Sequence, residues 1–276
     1  MRAGLIQMTS SDDPAGNLEM VTGYVTEAVR GGADIVLTPE VTNCISASRN
    51  RQNAVLSTED TDPMLASLRA QAVSHRVHIL IGSLALKTDD GAGRFANRSF
   101  LIGPDGSILA RYDKIHMFDV TVSETETYRE SAGYRPGNTA VIAPVLGITI
   151  GLSICYDIRF PHLYRRLAQA GAQVFTVPSA FSPVTGAAHW ESLLRARAIE
   201  CGAYVLAPSQ TGSHSAAEGR RRSTHGHTIV VDPWGAVLAD GGTEPGIVMA
   251  DIAAESVADA RARVPSLDHD RNFDGP

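Results

Sequence analysis

The feature that most constrains the fold is the alternation of short apolar runs with helical patterns along nearly the whole chain. Strand-like runs such as Arg2–Met8, Asp34–Thr38 and Ile148–Ile154 alternate with helical segments such as Pro14–Arg30 and Phe160–Ala170. Strands that alternate with helices form layered α/β structures, in which the helices cover the faces of the sheets. Because the predicted strands are too many for one sheet, we predict two stacked sheets between layers of helices.

The remaining predicted elements complete this pattern. Further strands are predicted at Val77–Leu86, Arg98–Ile102, Ile108–Lys114, Val174–Pro178, Tyr204–Pro208, Thr228–Val231, Ala236–Ala239 and Ile247–Ile252. Further helices are predicted at Met64–His75, Ala187–Cys201 and Ala253–Arg263. Residues 115–138 are polar, contain Gly and Pro and lack a clear period, so we predict a long loop there. Loops of this length in a compact domain are functional or disordered.

The length of the chain bounds its domain organisation. The 276 residues fit one large α/β domain, spanning 1–276, better than two domains of average size. A chain of this length can bury a substantial core without disulfides or metals. The sequence contains no internal repeat and no linker, and the polar residues 265–276 predict an extended C-terminal tail.

The charge of the chain excludes one class of partner. The formal net charge is −6, whereas nucleic-acid binding depends on a basic face that neutralises phosphates. The run Arg220–Arg222 is a local exception, but a short basic run in a polar stretch is typical of a solvated loop. We therefore predict no nucleic-acid partner.

The cysteines and the apolar runs indicate the compartment. Three cysteines, Cys44, Cys155 and Cys201, are too few and odd in number for a disulfide framework, and suit a reducing compartment. The apolar run at the N-terminus is too short for a signal peptide, and no run approaches the ~18 apolar residues of a membrane span. These features predict a cytoplasmic protein that does not contact membranes.

Cys155 ends a predicted strand and is a candidate nucleophile. Because side chains alternate along a strand, Cys155 shares a face with Thr149, Gly151 and Ser153 and not with the aliphatic Ile150. A nucleophile at a strand end before a sharp turn is exposed above the sheet, with backbone N–H groups nearby for an oxyanion. A buried inert cysteine remains the alternative for this strand taken alone.

Two other strand ends carry charged residues. Glu40 follows the aliphatic strand at 34–38, and Lys114 ends the strand at 108–114, although either residue alone is typical of the surface. Together with Cys155 they supply a thiol, a carboxylate and an ammonium group. A thiol with an ordinary pKa near ~8.5 is mostly protonated at neutral pH, and a nearby carboxylate can accept its proton. An ammonium group can then stabilise the oxyanion of a tetrahedral intermediate, by about 3 kcal/mol at comparable sites.

These three motifs resemble those of the nitrilase superfamily of carbon–nitrogen hydrolases. Glu40 in Leu-Thr-Pro-Glu, Lys114 in Tyr-Asp-Lys-Ile-His and Cys155 in Ile-Cys-Tyr-Asp-Ile-Arg-Phe-Pro match the glutamate, lysine and cysteine motifs of that family. Glu130 lies where related amidases carry a second glutamate, which also accounts for the long segment at 115–138. The resemblance covers essentially the whole chain.

The resemblance implies a fold and a mechanism. It implies an α-β-β-α sandwich that pairs with a second subunit as a homodimer or a higher homo-oligomer. It implies hydrolysis through a thioester, with Cys155 as nucleophile, Glu40 as general base, Lys114 as oxyanion stabiliser and Glu130 as an assisting residue. The N–H of Tyr156 completes the oxyanion hole, and no metal or organic cofactor is expected. Substrate contacts are expected from Tyr156, Phe118, Ser179, Phe181 and His189.

The C-terminal half favours one branch of the family. Residues 178–181 and 210–214 resemble the branch that hydrolyses deaminated glutathione, while other segments are shared with omega-amidases. We expect an amidase that releases ammonia from a small carboxylate-bearing amide, best represented by deaminated glutathione. An omega-amidase on α-ketoglutaramate, an N-carbamoyl-amino-acid amidohydrolase and a non-catalytic interaction protein remain alternatives. Thr42 and His162 depart from the residues usual at these positions.

Several other candidates are assigned structural roles. His225 and His227 have a spacing seen at metal sites, but no third ligand is evident in the sequence nearby. Cys201 falls on the apolar face of its helix and is expected in the core. Cys44 is expected to pack, and Asp157 is expected to hold the turn beside Cys155.

Overall fold

The computed structural model describes residues 1–123 and 126–275. In this part of the chain the α-helices are α1 (Pro14–Arg30), α2 (Arg49–Val55), α3 (Pro63–His75), α4 (Pro161–Gln169), α5 (Pro183–Cys201) and α6 (Ala254–Arg263). The strands are β1 (Arg2–Gln7), β2 (Ile35–Leu37), β3 (His78–Leu86), β4 (Ala96–Ile102), β5 (Ile108–Asp113), β6 (Asp119–Ser123), β7 (Glu126–Arg129), β8 (Ile142–Val145), β9 (Ile148–Leu152), β10 (Val174–Thr176), β11 (Tyr204–Ala207), β12 (Thr211–Ser213), β13 (Ser223–His225), β14 (Ile229–Val231), β15 (Val237–Asp240) and β16 (Gly246–Asp251). Among these described helices, none combines the length and apolar character needed to cross a membrane.

Two main sheets form the centre of the molecule. The first has the strand order β16-β1-β2-β3-β4-β5 and the second has the order β15-β14-β11-β10-β9-β8. Each sheet has a parallel centre, formed by β1, β2 and β3 in the first and by β9, β10 and β11 in the second. Antiparallel strands flank both centres.

The two sheets pack face to face, and helices cover their outer faces. On the first sheet, Leu5 and Leu37 join the apolar core shared with the second sheet, whereas Ile6 and Val36 face a separate cluster formed with α1 and α3. This division follows from the alternation of side chains along a strand. Helices α4 and α5 pack on the second sheet, where Trp190 is buried. The order of layers is helix, sheet, sheet, helix, which confirms the predicted α-β-β-α sandwich.

Most predicted elements agree with the structure to within a few residues, but the segment at 115–138 does not. Its described part contains the hairpin β6–β7, whose pairing runs from Asp119 opposite Arg129 to Ser123 opposite Glu126. The prediction of a loop was wrong here because both strands are short. Only Val120 and Val122 alternate with polar residues in β6, which is too little apolar alternation to identify a strand. Helix α2 and strand β8 were also missed, since each is short. The tail at 265–276 contains a 3₁₀ turn at Ser266–Asp268 in its described part.

Candidate active site

Three strand ends meet at one cavity. Strand β5 runs in the same direction as β2 and β3, because two antiparallel pairings through β4 restore the direction, so the chain leaves β2 and β5 at the same edge of the sheet. Glu40 and Lys114 follow these strands, and Cys155 follows β9 of the facing sheet. All three line a cavity of about 520 Å³, together with Glu130. The structure thus brings together the four residues expected to carry the chemistry.

A close backbone approach positions Glu40. A Cβ atom at Gly82 would lie 2.0 Å from the carbonyl oxygen of Thr38 and 2.6 Å from that of Pro39, so only glycine lets the chain after β2 pass so near β3. Val41, directly after Glu40, has a φ of 46°, a conformation that β-branched residues rarely adopt. The surrounding structure therefore forces the turn that directs Glu40 into the cavity.

A strained turn positions the thiol. Cys155 has a φ of 47°, and its N–H donates to the carbonyl of Pro178 at 2.9 Å. The buried carboxylate of Asp157 accepts hydrogen bonds from the N–H of Ile154 at 2.9 Å and from the hydroxyl of Tyr112 at 2.6 Å. Because these bonds tie the turn to β5, they confirm that Asp157 holds the turn beside Cys155.

Lys114 joins the two glutamates. Its Nζ lies 2.9 Å from Oε1 of Glu40 and 2.9 Å from both carboxylate oxygens of Glu130. The side-chain amide of Asn97 donates to Glu40 at 2.9 Å and to Glu130 at 3.4 Å. The N–H of Phe118 donates to Glu130 at 2.6 Å. Only 2% of the Lys114 side chain is exposed, so this ammonium is desolvated and depends on the two carboxylates.

The surroundings set the protonation states of the site. Burial alone would raise the pKa of Glu40, but the Lys114 ammonium and hydrogen bonds from Lys114 and Asn97 outweigh burial and lower it. Burial would lower the pKa of Lys114, yet the carboxylates of Glu130 and Glu40 raise it well above its usual value. Burial and the neighbouring Glu40 raise the pKa of Cys155. At neutral pH the cavity therefore holds a protonated thiol together with an ionised carboxylate.

Of the residues predicted to contact substrate, the three aromatic residues line the cavity and the other two do not. Tyr156, Phe118 and Phe181 line the cavity, and the rings of Phe118 and Tyr156 lie 5.0 Å apart. Ser179 is buried behind the cavity wall, where its hydroxyl donates to the carbonyl of Val177 at 3.0 Å.

His189 also falls outside the lining. It is exposed on α5, and its Nδ1 lies 3.3 Å from a guanidinium nitrogen of Arg159. The structure therefore does not place Ser179 or His189 where either would touch a substrate in this cavity. In the same two segments it is Phe181 that lines the cavity, and Trp190, next to His189, that is buried.

The structure corrects the prediction of a solvated loop for the basic run at 220–222. Arg220 and Arg222 line the cavity, whereas Arg221 is exposed and lies outside its lining. The interpretation as a solvated loop was therefore wrong for Arg222, whose Nε is buried, whereas Arg220 and Arg221 are both exposed. The sequence carried only a weak indication of this position, because β12 and β13 bring the segment to the cavity from a distant part of the chain.

Asn97 was missed entirely by sequence reasoning. It lies in β4, where its carbonyl accepts the backbone N–H of Lys114 at 3.0 Å, and its side chain reaches both glutamates. It carries no motif of its own, and only a buried polar residue in an apolar strand could have drawn attention to it.

The two residues that depart from the family pattern lie outside the cavity lining. The hydroxyl of Thr42 donates to the carbonyl of Pro39 at 2.7 Å and so braces the loop that carries Glu40. His162 is exposed at the start of α4 and stands edge-on to the ring of His116, with 5.8 Å between ring centroids. Thr42 therefore acts on the site through the backbone.

The remaining candidates are structural. Cys201 is the last residue of α5 and is buried in the predicted core cluster with Leu194 and Ala198. Cys44 is buried in a smaller cluster and borders the cavity, and burial raises its pKa to about 12. His225 and His227 stack with ring centroids 4.6 Å apart, and no group of three metal-ligating side chains occurs among the described residues.

Comparison with known proteins adds a family and several relatives. The family model described as carbon-nitrogen hydrolase matches residues 2–262. A protein of Synechocystis sp. named deaminated glutathione amidase is 41% identical over 271 residues, which cover 97% of each chain. The protein of Bos taurus named omega-amidase NIT2 is 35% identical, over 98% of this chain and 95% of the relative.

A solved structure shares the fold. The NitFhit protein of C. elegans superposes with a TM-score of 0.89 at 34% identity, over 98% of this chain and 65% of that protein. The chain thus spans less than two thirds of the length of NitFhit, and nearly the whole length of the two relatives named above.

Proposed function

Because this chain belongs to the carbon–nitrogen hydrolase family, we propose that Cys155, Glu40, Lys114 and Glu130 form the active site of an amidase for small carboxylate-bearing amides. The family match and the relatives named as amidases confirm the prediction of an enzyme that hydrolyses amides. The observation that carries the assignment of roles is the buried ammonium of Lys114 between two carboxylates, in the cavity that Cys155 also lines.

The first half of the reaction forms an acyl-enzyme. The sulfur of Cys155 attacks the amide carbonyl carbon while Glu40 accepts the thiol proton, since burial keeps the thiol protonated. The carbonyl oxygen becomes an oxyanion, which the Lys114 ammonium and the N–H of Tyr156 stabilise. The carbon–nitrogen bond then breaks as the proton on Glu40 passes to the leaving nitrogen. A thioester on Cys155 remains.

The second half restores the thiol. Glu40 accepts a proton from a water molecule, whose oxygen attacks the thioester carbon. The carbon–sulfur bond breaks, the carboxylic acid leaves and the sulfur regains the proton from Glu40. Glu130 holds Lys114 in place through both carboxylate oxygens and is held in turn by the N–H of Phe118. We therefore assign Glu130 a positioning role.

Two substrates with a common acyl group fit the proposal. Relatives carry the names deaminated glutathione amidase and omega-amidase. Deaminated glutathione and α-ketoglutaramate both present a 2-oxoglutaryl group on the amide nitrogen. The leaving groups differ, because the primary amide releases ammonia and the secondary amide of deaminated glutathione releases cysteinylglycine. The expectation of ammonia release from deaminated glutathione was therefore wrong on chemical grounds. Of the two substrates, deaminated glutathione is favoured by the higher sequence identity to the Synechocystis relative.

Measuring the products tests the proposed function. Purified protein is incubated with deaminated glutathione and with α-ketoglutaramate, and cysteinylglycine and ammonia are quantified separately. We expect turnover of both, with the higher kcat/KM for deaminated glutathione. The variant Cys155→Ala should lose turnover and keep its circular dichroism spectrum, and Cys201→Ala serves as the matched cysteine control. Inactivity of the wild-type protein on both amides would reject this substrate class.

Other outcomes of the same assay identify the alternatives. Release of carbon dioxide together with ammonia from an N-carbamoyl amino acid would indicate the amidohydrolase. Retained turnover in Cys155→Ala would indicate another nucleophile. Cytoplasmic location and assembly into a homodimer or higher homo-oligomer stay predictions, which cell fractionation and light scattering would test.

A further inference from the structure

Arg222 lines the cavity, and no described residue pairs with its guanidinium as a counter-ion. It lies just before β13, and its guanidinium carbon sits 5.6 Å from the centre of the Tyr128 ring. Its Nε is buried and has no hydrogen-bond partner in the described residues. Within the same part of the chain, no carboxylate forms an ion pair with Arg222. Leaving a buried N–H of a charged group without an acceptor costs free energy. The guanidinium of Arg222 is therefore suited to bind the anionic group of a ligand.

A second unpaired polar group lies in the same cavity. The hydroxyl of Thr185, in the first turn of α5, is buried without a partner in the described residues and borders the cavity. The nearby carboxylate of Glu126 is engaged by the hydroxyls of Tyr128 and Ser182. Arg222 and Thr185 therefore offer donors at the cavity wall that no described carboxylate occupies.

The charge at the reacting end directs an anion towards Arg222. Lys114 is already paired with the carboxylates of Glu40 and Glu130, so one ammonium faces two acids and the balance there is negative. A substrate carboxylate placed at that end would be repelled. The anionic end of the substrate must therefore lie along the cavity, away from the reacting carbon, where a cation faces it.

Two other arginines of the lining, Arg49 and Arg129, are less suited to this role. Arg49 stacks on the ring of Phe95 with its guanidinium carbon 3.8 Å from the ring centre, and donates to the carbonyl of Gly133 at 2.9 Å. Arg129 is exposed and donates to the carbonyl of Tyr128 at 2.9 Å. Arg49 is thus committed to the protein itself, and Arg129 lies in solvent where an ion pair is weak.

We propose that Arg222, assisted by the hydroxyl of Thr185, binds the carboxylate of the substrate and so determines the preference for anionic amides. The inference rests on the proposed amidase function and adds the residues that recognise the acid group. Arginine suits this role because its planar guanidinium binds both oxygens of a carboxylate. Arg222 is a specificity-determining residue and takes no part in bond breaking.

A matched pair of amides tests this assignment. α-Ketoglutaramate and 4-oxopentanamide differ only in a carboxylate that is replaced by a methyl group. For Arg222→Met we expect the ratio of kcat/KM for the anionic over the neutral amide to fall about 10- to 100-fold, the loss typical of a charge-assisted hydrogen bond. Arg221→Met, which removes the exposed neighbour, should keep the wild-type ratio. An unchanged ratio in Arg222→Met would overturn the proposal.

A binding measurement separates this inference from the proposed reaction. Calorimetry on Cys155→Ala and on the double variant Cys155→Ala/Arg222→Met measures α-ketoglutaramate affinity without turnover. We expect a Kd about 10- to 100-fold higher in the double variant. Equal affinity, or no binding to Cys155→Ala, would overturn the carboxylate site, whereas binding without any turnover by the wild-type protein would reject the reaction alone.

Discussion

The Nζ of Lys114 lies 2.9 Å from Oε1 of Glu40, although 74 residues separate them in the chain. Both side chains are almost fully buried, and Glu130 provides a second carboxylate 2.9 Å from the same ammonium. Removing one member of a buried ionic group leaves the others without compensation, which is strongly unfavourable. This cluster therefore links the stability of the protein to the chemistry proposed for it.

Lys114→Met should lower both stability and activity. The two carboxylates would remain buried near each other without a cation, so we expect the free energy of unfolding to fall by about 3–5 kcal/mol. We expect amide turnover to be lost as well, since no ammonium would face the oxyanion. Urea denaturation and a steady-state assay measure the two effects.

Lys87 supplies the control, because it is the only other lysine in the sequence and is absent from the cavity lining. Lys87→Met should change the free energy of unfolding by less than about 0.5 kcal/mol, as surface substitutions generally do. A comparable loss of stability in both variants would show that the buried cluster has no special importance.

Asn97→Ala should alter the pH dependence of the reaction. The amide of Asn97 donates to Glu40 and helps to lower its pKa, so the wild-type base stays ionised below its ordinary value of 4.5. Without this donor the pKa of Glu40 rises, and the acid limb of the kcat/KM profile should move to higher pH by about one unit. A pH profile of kcat/KM on one amide measures the change.

Asn138 gives the matched comparison, because it is exposed and its side chain accepts a hydrogen bond from the neighbouring Thr139. Asn138→Ala should reproduce the wild-type profile. If Asn97→Ala lowers kcat/KM equally at every pH, Asn97 positions Glu40 without tuning its pKa.

His214 should make the protein less stable in mild acid. Its Nδ1 donates to the carbonyl of Ser10 at 2.7 Å and its Nε2 accepts from the hydroxyl of Thr224 at 2.8 Å, and burial lowers its pKa to about 4. Between pH 6.5 and pH 4 the unfolded chain binds a proton that the folded protein does not. Stability therefore falls as the pH drops through this range, by up to about 3 kcal/mol.

Chemical denaturation at pH 7 and pH 4.5 tests this expectation. The variant His214→Gln should lose less stability between the two pH values than the wild-type protein, because it lacks the titrating ring. His269→Gln, at an exposed position, should behave as the wild-type protein does. Equal losses in the wild-type protein and His214→Gln would exclude His214 as the source.

The structure brings together those predicted residues that each follow a strand. Glu40, Lys114 and Cys155 each lie at or within three residues of a strand end, in short local motifs, and apolar alternation locates those strands. Asn97 and Arg222 could not be found in this way. Each acquires its role from contacts with residues far away in the chain, so no local pattern marks it.

The amino-acid sequence by itself determined the alternation of strands and helices and the chemical identity of the thiol, ammonium and carboxylates. It also determined the negative net charge, which disfavours binding to polyanions. Only the tertiary structure decided which polar groups meet. It placed Arg222 in the cavity and Ser179 behind its wall, and it set the pKa values of Cys155 and Glu40. The physical reason is that burial and electrostatic interaction depend on distance in space, which the packing of two sheets creates between residues distant in sequence.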